Sequence, residues 1–159
     1  MKKNKKKVGF TLVELLVVIS IIGILTIISA SSFISAQVKA RDSQRKSDLD
    51  AVSKSLMMYY ADIGVFPNLT SDELFGNSSV GLTGSDGTVY MRETPLDPTN
   101  DDDYVYVYKF TTDFKKFNLF ANLENKEDSQ CEGNSYNVNG VNYCYGLSSP
   151  NTIVDPSQF

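Results

Sequence analysis

The chain has 159 residues and a formal net charge of −4 at pH 7, a length that allows one domain of ordinary size plus a long helix. Histidine and tryptophan are absent. Without histidine, a serine or cysteine nucleophile lacks its usual general base and zinc lacks its commonest ligand, so the composition disfavours an enzyme. The acidic balance disfavours general binding of nucleic acid, because phosphate contacts require clustered lysine and arginine.

The N-terminal region combines a lysine-rich segment, residues 1–9, with an apolar stretch from Phe10 to Ala36 that carries one charge, Glu14. At a rise of about 1.5 Å per residue, roughly 20 helical residues cross the ~30 Å hydrocarbon core of a bilayer. We therefore predict a membrane-spanning helix. A carboxylate inside it costs about 2.5–3.5 kcal/mol on insertion scales, which indicates a partner or a function for Glu14. The alternative is that Glu14 lies near enough to the interface to reach water.

The order of these features resembles the class III signal of type IV pilins and type II secretion pseudopilins: a basic leader ending in Gly9, then Phe10-Thr11-Leu12-Val13-Glu14. In that family a membrane-embedded aspartyl prepilin peptidase cuts after the glycine and methylates the new amine. The resemblance implies a cut between Gly9 and Phe10, with Phe10 becoming an N-methylphenylalanine. The freed amine then lies one helical turn from Glu14, so in a bundle the carboxylate of one subunit can neutralise the amine of the next.

Removal of residues 1–9 leaves 10 basic and 19 acidic residues, a net charge of −9. By the positive-inside rule, the leader lysines predict a single-pass protein with its N-terminus in the cytoplasm and the remainder outside. An ordinary secretory signal peptide is the alternative, with small residues for cleavage at Ala30-Ser31-Ser32 or Ile34-Ser35-Ala36. The length of the apolar stretch and the acid within it are unusual for such a peptide.

The helix is predicted to continue from Gln37 to Ile63, because this stretch contains neither proline nor glycine. An apolar stripe recurs there at helical spacing and requires a cover, either a sheet or the seam of a coiled coil; it comprises Leu49, Val52, Leu56, Tyr59 and Ile63. On the exposed face we predict two ion pairs in the favourable acid-first order, Asp42 with Lys46 and Asp50 with Lys54. Gly64 is predicted to end the helix, ahead of Phe66-Pro67.

Residues 67–100 are predicted to form a long connection with little core, apart from a capping box at Thr70-Ser71-Asp72-Glu73 and a short strand at 89–91. Alternating patterns then predict strands at 104–110 and 117–123, joined as a hairpin through 111–116, and a third strand near 143–147. An antiparallel sheet of these strands would cover the helix stripe, which gives an α+β fold. Tyr104, Tyr106 and Tyr108 are predicted in the core, with a binding platform as the alternative.

The resemblance extends into this region and is closest there to the major pseudopilin of type II secretion systems. It rests on Met58-Tyr59-Tyr60-Ala61-Asp62, Tyr90-Met91-Arg92 and Pro95-Leu96-Asp97-Pro98. The calcium-binding acidic loop typical of that family's C-terminus has no clear counterpart in this chain. Asp97, Asp101 and Asp103 are weak candidates for a calcium site, and a solvated loop is the alternative because their spacing is not that of a known calcium loop.

Cys131 and Cys144 are the only cysteines, and both lie in the part predicted to be outside the membrane. Exported cysteines usually pair, and a bridge across this segment would stabilise the fold by about 3 kcal/mol in the chain-entropy model. The spacing is not that of a redox Cys-x-x-Cys motif, and the ligands are too few for zinc.

We predict four segments: a leader at 1–9, a transmembrane and polymerisation helix at 10–36, the amphipathic half of the same helix at 37–64, and a globular head at 65–159. The resemblance implies a structural subunit of a type IV pilus-like filament, with no enzymatic activity and no cofactor other than the calcium considered above. The alternatives are a pseudopilin that forms a short periplasmic piston and, more remotely, a monomeric membrane-tethered domain.

The resemblance also implies partners and a location. The partners are further copies of the chain, the prepilin peptidase, and an inner-membrane assembly platform with ATPase-driven machinery. The subunit would reside in the cytoplasmic membrane before assembly, and in an extracellular pilus or a periplasmic pseudopilus afterwards.

Overall fold

The computed structural model describes residues 9–76, 81–101, 103–150, 152–155 and 157, so the predicted leader up to Val8 lies outside the described residues. The chain divides into two compact units, residues 1–37 and residues 38–159. Its elements in chain order are α1 (Leu12–Ile63), α2 (Ser71–Phe75), β1 (Leu82–Thr83), β2 (Val89–Met91), β3 (Val107–Phe110), β4 (Phe117–Ala121), β5 (Tyr136–Val138), β6 (Val141–Tyr143) and β7 (Tyr145–Ser148).

Helix α1 runs without interruption for 52 residues, which confirms the predicted long helix and carries it through Gly23. Two hydroxyls in its apolar part bond back to the helix itself, Ser20 Oγ to the Leu16 carbonyl and Thr26 Oγ1 to the Ile22 carbonyl, each at 2.8 Å. These bonds satisfy the two hydroxyls within the helix itself. In the first unit the large apolar side chains of α1 that the structure describes are exposed, and the helix is long and apolar enough to cross a membrane.

The end of α1 and the start of α2 are set by local signals, as predicted. Gly64 adopts a φ of +81° and donates its N–H to the Tyr60 carbonyl at 2.8 Å, while Lys115 Nζ donates to the Gly64 carbonyl at 2.5 Å. At α2, the Thr70 N–H donates to Glu73 Oε2 at 2.6 Å, and the Glu73 N–H donates to Thr70 Oγ1 at 3.2 Å. This reciprocal pair is the predicted capping box.

The main sheet is antiparallel with strand order β3-β4-β7, and β3 and β4 form the predicted hairpin. Three of the predicted strands are wrong in their limits. The strand predicted at 117–123 ends at Ala121. The strand predicted at 104–110 begins only at Val107, because Tyr104 pairs with Asp101 in an isolated bridge. The strand predicted at 143–147 is divided: Tyr143 ends β6, which pairs with β5, whereas Tyr145 begins β7, which pairs with β4.

The principal core lies between the second part of α1 and the inner face of the main sheet. Leu49, Val52 and Leu56 are at most 1% exposed and belong to one cluster with the β4 side chains Phe117 and Leu119. The predicted packing of the helix stripe against a sheet is therefore confirmed within this unit. Tyr106 and Tyr108 lie in the same core, as predicted, whereas Tyr104 is half-buried.

Two features of the core differ from the sequence-based expectation. The connection contributes Leu74, Phe75 and Leu82 to the principal core, so the expectation of little core in residues 67–100 is wrong; α2 and β1 turn these side chains inward. The outer face of the main sheet also carries a second apolar cluster, in which Val107 and Phe120 pack against side chains of the β5–β6 hairpin and Val154. The globular unit thus buries both faces of its sheet.

Candidate assembly site

Residues 9–11, which directly precede α1, are exposed and irregular. Gly9 and Phe10 lie outside any helix or strand, and the Phe10 side chain is 84% exposed. Proteolytic cleavage is favoured at exposed backbone that is not held in secondary structure. The bond between Gly9 and Phe10, the site implied by the sequence, is therefore accessible in this chain.

Thr11 and Glu14 form a capping box at the start of α1. Glu14 Oε2 accepts hydrogen bonds from the Thr11 N–H at 2.8 Å and from Thr11 Oγ1 at 2.9 Å, and Thr11 Oγ1 accepts from the Glu14 N–H at 3.2 Å. The sequence analysis missed this role, although Thr-x-x-Glu ahead of an apolar stretch is its signal. Glu14 thus has a local function in starting the helix, in addition to any role between subunits.

The two oxygens of the Glu14 carboxylate differ in their surroundings. Both hydrogen bonds from Thr11 fall on Oε2, and no hydrogen bond or ion pair to Oε1 is present among the described residues. A carboxylate accepts hydrogen bonds on both oxygens, so the capping box leaves Oε1 available for a further donor. The geometry therefore allows Glu14 to cap its own helix and to bind an amine of another molecule at the same time.

Cys131 and Cys144 form a disulfide, with their Cα atoms 4.7 Å apart, and both residues are buried. The bridge joins the segment that follows β4 to the short link between β6 and β7. The Leu123 N–H donates to Cys144 Sγ at 3.5 Å. This pairing is the one expected from the sequence, and it places the disulfide in the principal core.

The three candidate calcium ligands do not converge. Asp97 is buried and both of its carboxylate oxygens accept from the guanidinium of Arg45, at 2.7 and 2.9 Å, so the hypothesis loses one of its three ligands. Asp101 is exposed and pairs with Tyr104, and Asp103 is exposed. Within the described ranges, no group of three or more His, Cys, Asp or Glu side chains is arranged to hold a metal ion.

One of the two predicted ion pairs on α1 is wrong. Asp50 and Lys54 form the expected pair at 2.6 Å on the exposed face. Asp42 instead is buried and pairs with Arg45 at 2.8 Å, while Lys46 pairs with Asp128 at 2.8 Å. The acid-first spacing is therefore not sufficient, because Asp42 pairs with Arg45 one turn along the same helix and Lys46 pairs with Asp128 in a distant segment.

A buried cluster of charged side chains surrounds Arg45, and the sequence analysis did not foresee it. Hydrogen bonds from Arg41 and Arg45 lower the pKa of Glu124 to about 2. On the same side of the helix, burial raises the pKa of Asp48, although hydrogen bonds from Tyr106 and Gln44 oppose the rise. The groups that shift these two pKa values all belong to the globular unit.

Comparison with known proteins identifies relatives of both parts of the chain. A family model described as the prokaryotic N-terminal methylation motif matches residues 4–30. The type II secretion system core protein G of Vibrio cholerae serotype O1 is 37% identical over 112 residues, which cover 67% of this chain and 75% of that protein. The Pseudomonas aeruginosa protein of the same name is 28% identical over 102 residues, which cover 60% of this chain and 70% of that protein.

A pilin is also among the relatives. The type IV major pilin protein PilA of Myxococcus xanthus is 36% identical over 59 residues, which cover 37% of this chain and 27% of that protein. No solved structure matches the chain.

Proposed function

The chain belongs to the family of type IV pilins and type II secretion pseudopilins, and we propose that it is cleaved between Gly9 and Phe10 and assembles into a filament through its N-terminal helix. Members of this family are structural subunits rather than enzymes, and this chain is a pilin-like structural subunit. Its apolar helix fits a subunit anchored in a membrane.

The start of α1 carries the proposal. The Gly9–Phe10 bond is exposed ahead of the helix, and Glu14 Oε1 has no partner among the described residues while Oε2 is held by Thr11. Cleavage would create a positive amine at Phe10, and the same amine on another copy is a suitable donor to Oε1. Pairing these two charges removes much of the cost of keeping each of them in an apolar environment.

The exposed apolar surface of α1 in the first unit supports assembly between copies. A side chain such as Leu12 is 78% exposed and Ile19 is 61% exposed. These surfaces require lipid or the same helix of other subunits as cover. Repeated head-to-tail contacts that do not close on themselves produce a fibre.

The proposal also includes the orientation and the partners of the subunit. The lysines of the leader favour an N-terminus in the cytoplasm before assembly. The partners would be further copies of the chain, a prepilin peptidase, and a membrane assembly platform with its ATPase-driven machinery.

A pseudopilin in a type II secretion system is the second candidate function. The match to the Vibrio cholerae core protein G extends over 112 residues and therefore well into the globular unit, whereas the match to the Myxococcus xanthus pilin extends over 59 residues. Electron microscopy of sheared cell-surface material distinguishes the two candidates. Long surface fibres that contain the chain favour a pilus, and retention of the assembled chain in the cell envelope favours a pseudopilus.

Processing is tested by the intact mass of the native protein. The proposal predicts the loss of Met1–Gly9 and the gain of one methyl group on Phe10. A Gly9→Val variant should retain the leader, because the peptidase requires a small residue at the cut. An N-terminus near Ser31 would indicate a secretory signal peptide, and retention of the leader in the wild-type protein would contradict the proposal.

The role of Glu14 between subunits is tested by a matched pair of variants. Glu14→Gln keeps a side-chain acceptor for the Thr11 N–H, and hence the capping box, but removes the charge. Glu14→Ala removes both. If Glu14 neutralises the Phe10 amine of a neighbour, both variants should be cleaved and remain in the membrane yet fail to assemble. If Glu14→Gln assembles as the wild type does, the charge is not needed and the proposed pairing is wrong.

A further inference from the structure

Within the globular unit, the buried face of α1 begins with charged side chains and continues with mainly apolar ones. Asp42, Arg45 and Asp48 are 3%, 0% and 8% exposed, whereas the buried side chains that follow are those of Leu49, Val52 and Leu56, with the small residues Ser53 and Ser55 beside them. Long charged side chains are almost never fully buried unless they are paired. The complete burial of Arg45 therefore requires an explanation that the assembly site does not supply.

Every N–H donor of the Arg45 guanidinium has an acceptor. Nε and Nη2 donate to the two carboxylate oxygens of Asp97 at 2.7 and 2.9 Å, and Nη1 donates to Asp42 and Glu124 at 2.8 Å each. The remaining Nη2 donor binds Thr99 Oγ1 at 2.9 Å. An arginine has five such donors in a fixed planar arrangement, so these contacts define one position and one orientation of the side chain.

The acceptors are themselves held in place by the backbone and by a second arginine. Asp97 Oδ1 accepts from the Thr99 N–H at 2.9 Å. Asp42 accepts from the backbone N–H groups of Glu124 and Asn125, at 2.9 Å each. Glu124 in turn accepts from Arg41 Nε at 2.7 Å. The cluster thus joins three separate segments: helix α1, the end of the connection, and the segment that follows β4.

We propose that Arg45 and Asp97 form a specificity latch. By this term we mean a charged pair that fixes one position, against α1, of residues 97–99 at the end of the connection and of residues 123–125. An apolar contact tolerates small shifts, but three directed hydrogen bonds, two to Asp97 and one to Thr99, are lost together when the connection moves. Buried ion pairs often contribute little net stability compared with apolar side chains of similar volume, although single polar groups do fix a particular arrangement in some proteins. The latch also accounts for Asp97 in the Pro95-Leu96-Asp97-Pro98 motif.

The test compares two double variants of the full-length chain in detergent micelles. Arg45→Met with Asp97→Asn removes both charges of the pair, keeps similar side-chain volumes, and retains an amide oxygen for the Thr99 N–H. Asp42 also loses Arg45 but keeps the backbone N–H groups of Glu124 and Asn125, and Glu124 keeps Arg41. Lys54→Met with Asp50→Asn is the matched control, because this pair lies on the same helix with side chains 69% and 57% exposed. Hydrogen exchange is measured for peptides that cover residues 97–100, 123–126 and 49–56, together with the thermal unfolding midpoint.

The latch predicts a local effect. In the Arg45/Asp97 variant, residues 97–100 and 123–126 should exchange at least about tenfold faster, while residues 49–56 and the unfolding midpoint stay close to wild type, within about 5 °C. The control should change neither region. Wild-type exchange in all three regions would overturn the latch. An equal acceleration in all three would also overturn it, since the pair would then act only on global stability.

A second readout rests on the proposed function. If the docked arrangement is needed for assembly, the Arg45/Asp97 variant should yield at least fivefold fewer assembled subunits at equal membrane levels, and the Lys54/Asp50 variant should not. The exchange experiment does not depend on this result. A wild-type chain that never forms filaments would refute the proposed function, whereas the exchange data would still decide the latch.

Discussion

The N-terminal unit and the globular unit each contain a charged side chain among apolar residues, and the two side chains differ in whether an ion-pair partner lies within the described part of the chain. In the globular unit, the buried charge of Arg45 is neutralised within the chain by Asp42, Asp97 and Glu124. In the N-terminal unit, Glu14 binds the hydroxyl and N–H of Thr11 but forms no ion pair among the described residues. A charge removed from water requires a partner, so the Arg45 charge serves the fold, whereas the lack of an ion pair at Glu14 is the basis of the proposed contact with another subunit.

The largest expected effect comes from breaking the internal pair at one side only. Arg45→Met alone leaves Asp97 buried and without its cation, and should lower the free energy of unfolding by about 3–5 kcal/mol. Addition of Asp97→Asn should recover a large part of this loss. Urea unfolding of the full-length chain in detergent measures both values. A double variant as unstable as the single variant would contradict this account of Arg45.

The disulfide provides a second way to separate the two units. Cys131→Ser with Cys144→Ser should destabilise the globular unit by about 3 kcal/mol, because the bridge restricts the unfolded chain. It should not change the extraction of the protein from membranes, since both cysteines belong to the second unit. Thermal unfolding and carbonate extraction of the same preparations compare the effects. A loss of membrane retention would show that the two units are coupled.

The internal charges should make the stability of the globular unit depend on pH. The pKa of Glu124 in the folded state is about 2, below its value of about 4.3 in an unfolded chain. The contribution of Glu124 is therefore complete above about pH 5 and is lost as the pH falls toward 2. Asp48 acts in the opposite direction: burial raises its pKa, so protonation of the folded state on acidification relieves a cost.

Urea unfolding between pH 7 and pH 3 measures this dependence. Glu124→Gln should reduce the loss of stability on acidification, whereas Glu127→Gln, at an exposed position, serves as the control and should not. An unchanged pH dependence in Glu124→Gln would assign acid sensitivity to other groups.

The smallest expected effect concerns the capping box of α1. Thr11→Ala removes the acceptor for the Glu14 N–H and should destabilise the first helical turn by about 1 kcal/mol. Hydrogen exchange of residues 11–16 should accelerate, while the exchange of residues 49–56 stays unchanged. Thr11→Ser preserves the hydroxyl and should behave as the wild type does. If all three chains exchange alike, the contacts seen at Thr11 do not stabilise the helix.

Local sequence signals were sufficient wherever a feature depends on neighbours in the chain. The extent of α1, its end at Gly64, the box at Thr70–Glu73 and the β3–β4 hairpin follow from periodicity, capping and turn chemistry within a few residues. The apolar stripe of α1 likewise predicted its cover by a sheet. The same kind of signal stands at Thr11 and Glu14, where Thr-x-x-Glu ahead of an apolar stretch specifies the capping box of α1.

Only the tertiary structure decided which partners distant residues take. The spacing of Asp42 and Lys46 predicted a local pair, yet Asp42 binds Arg45 and the backbone near Glu124, and Lys46 binds Asp128, more than 80 residues away. The division of the strand predicted at 143–147 between two sheets also depends on tertiary contacts, because Tyr143 in β6 pairs with β5 and Tyr145 in β7 pairs with β4. Helix caps and apolar periodicity act over a few residues and can be read from them, whereas the burial of a charge depends on what the rest of the chain brings to it.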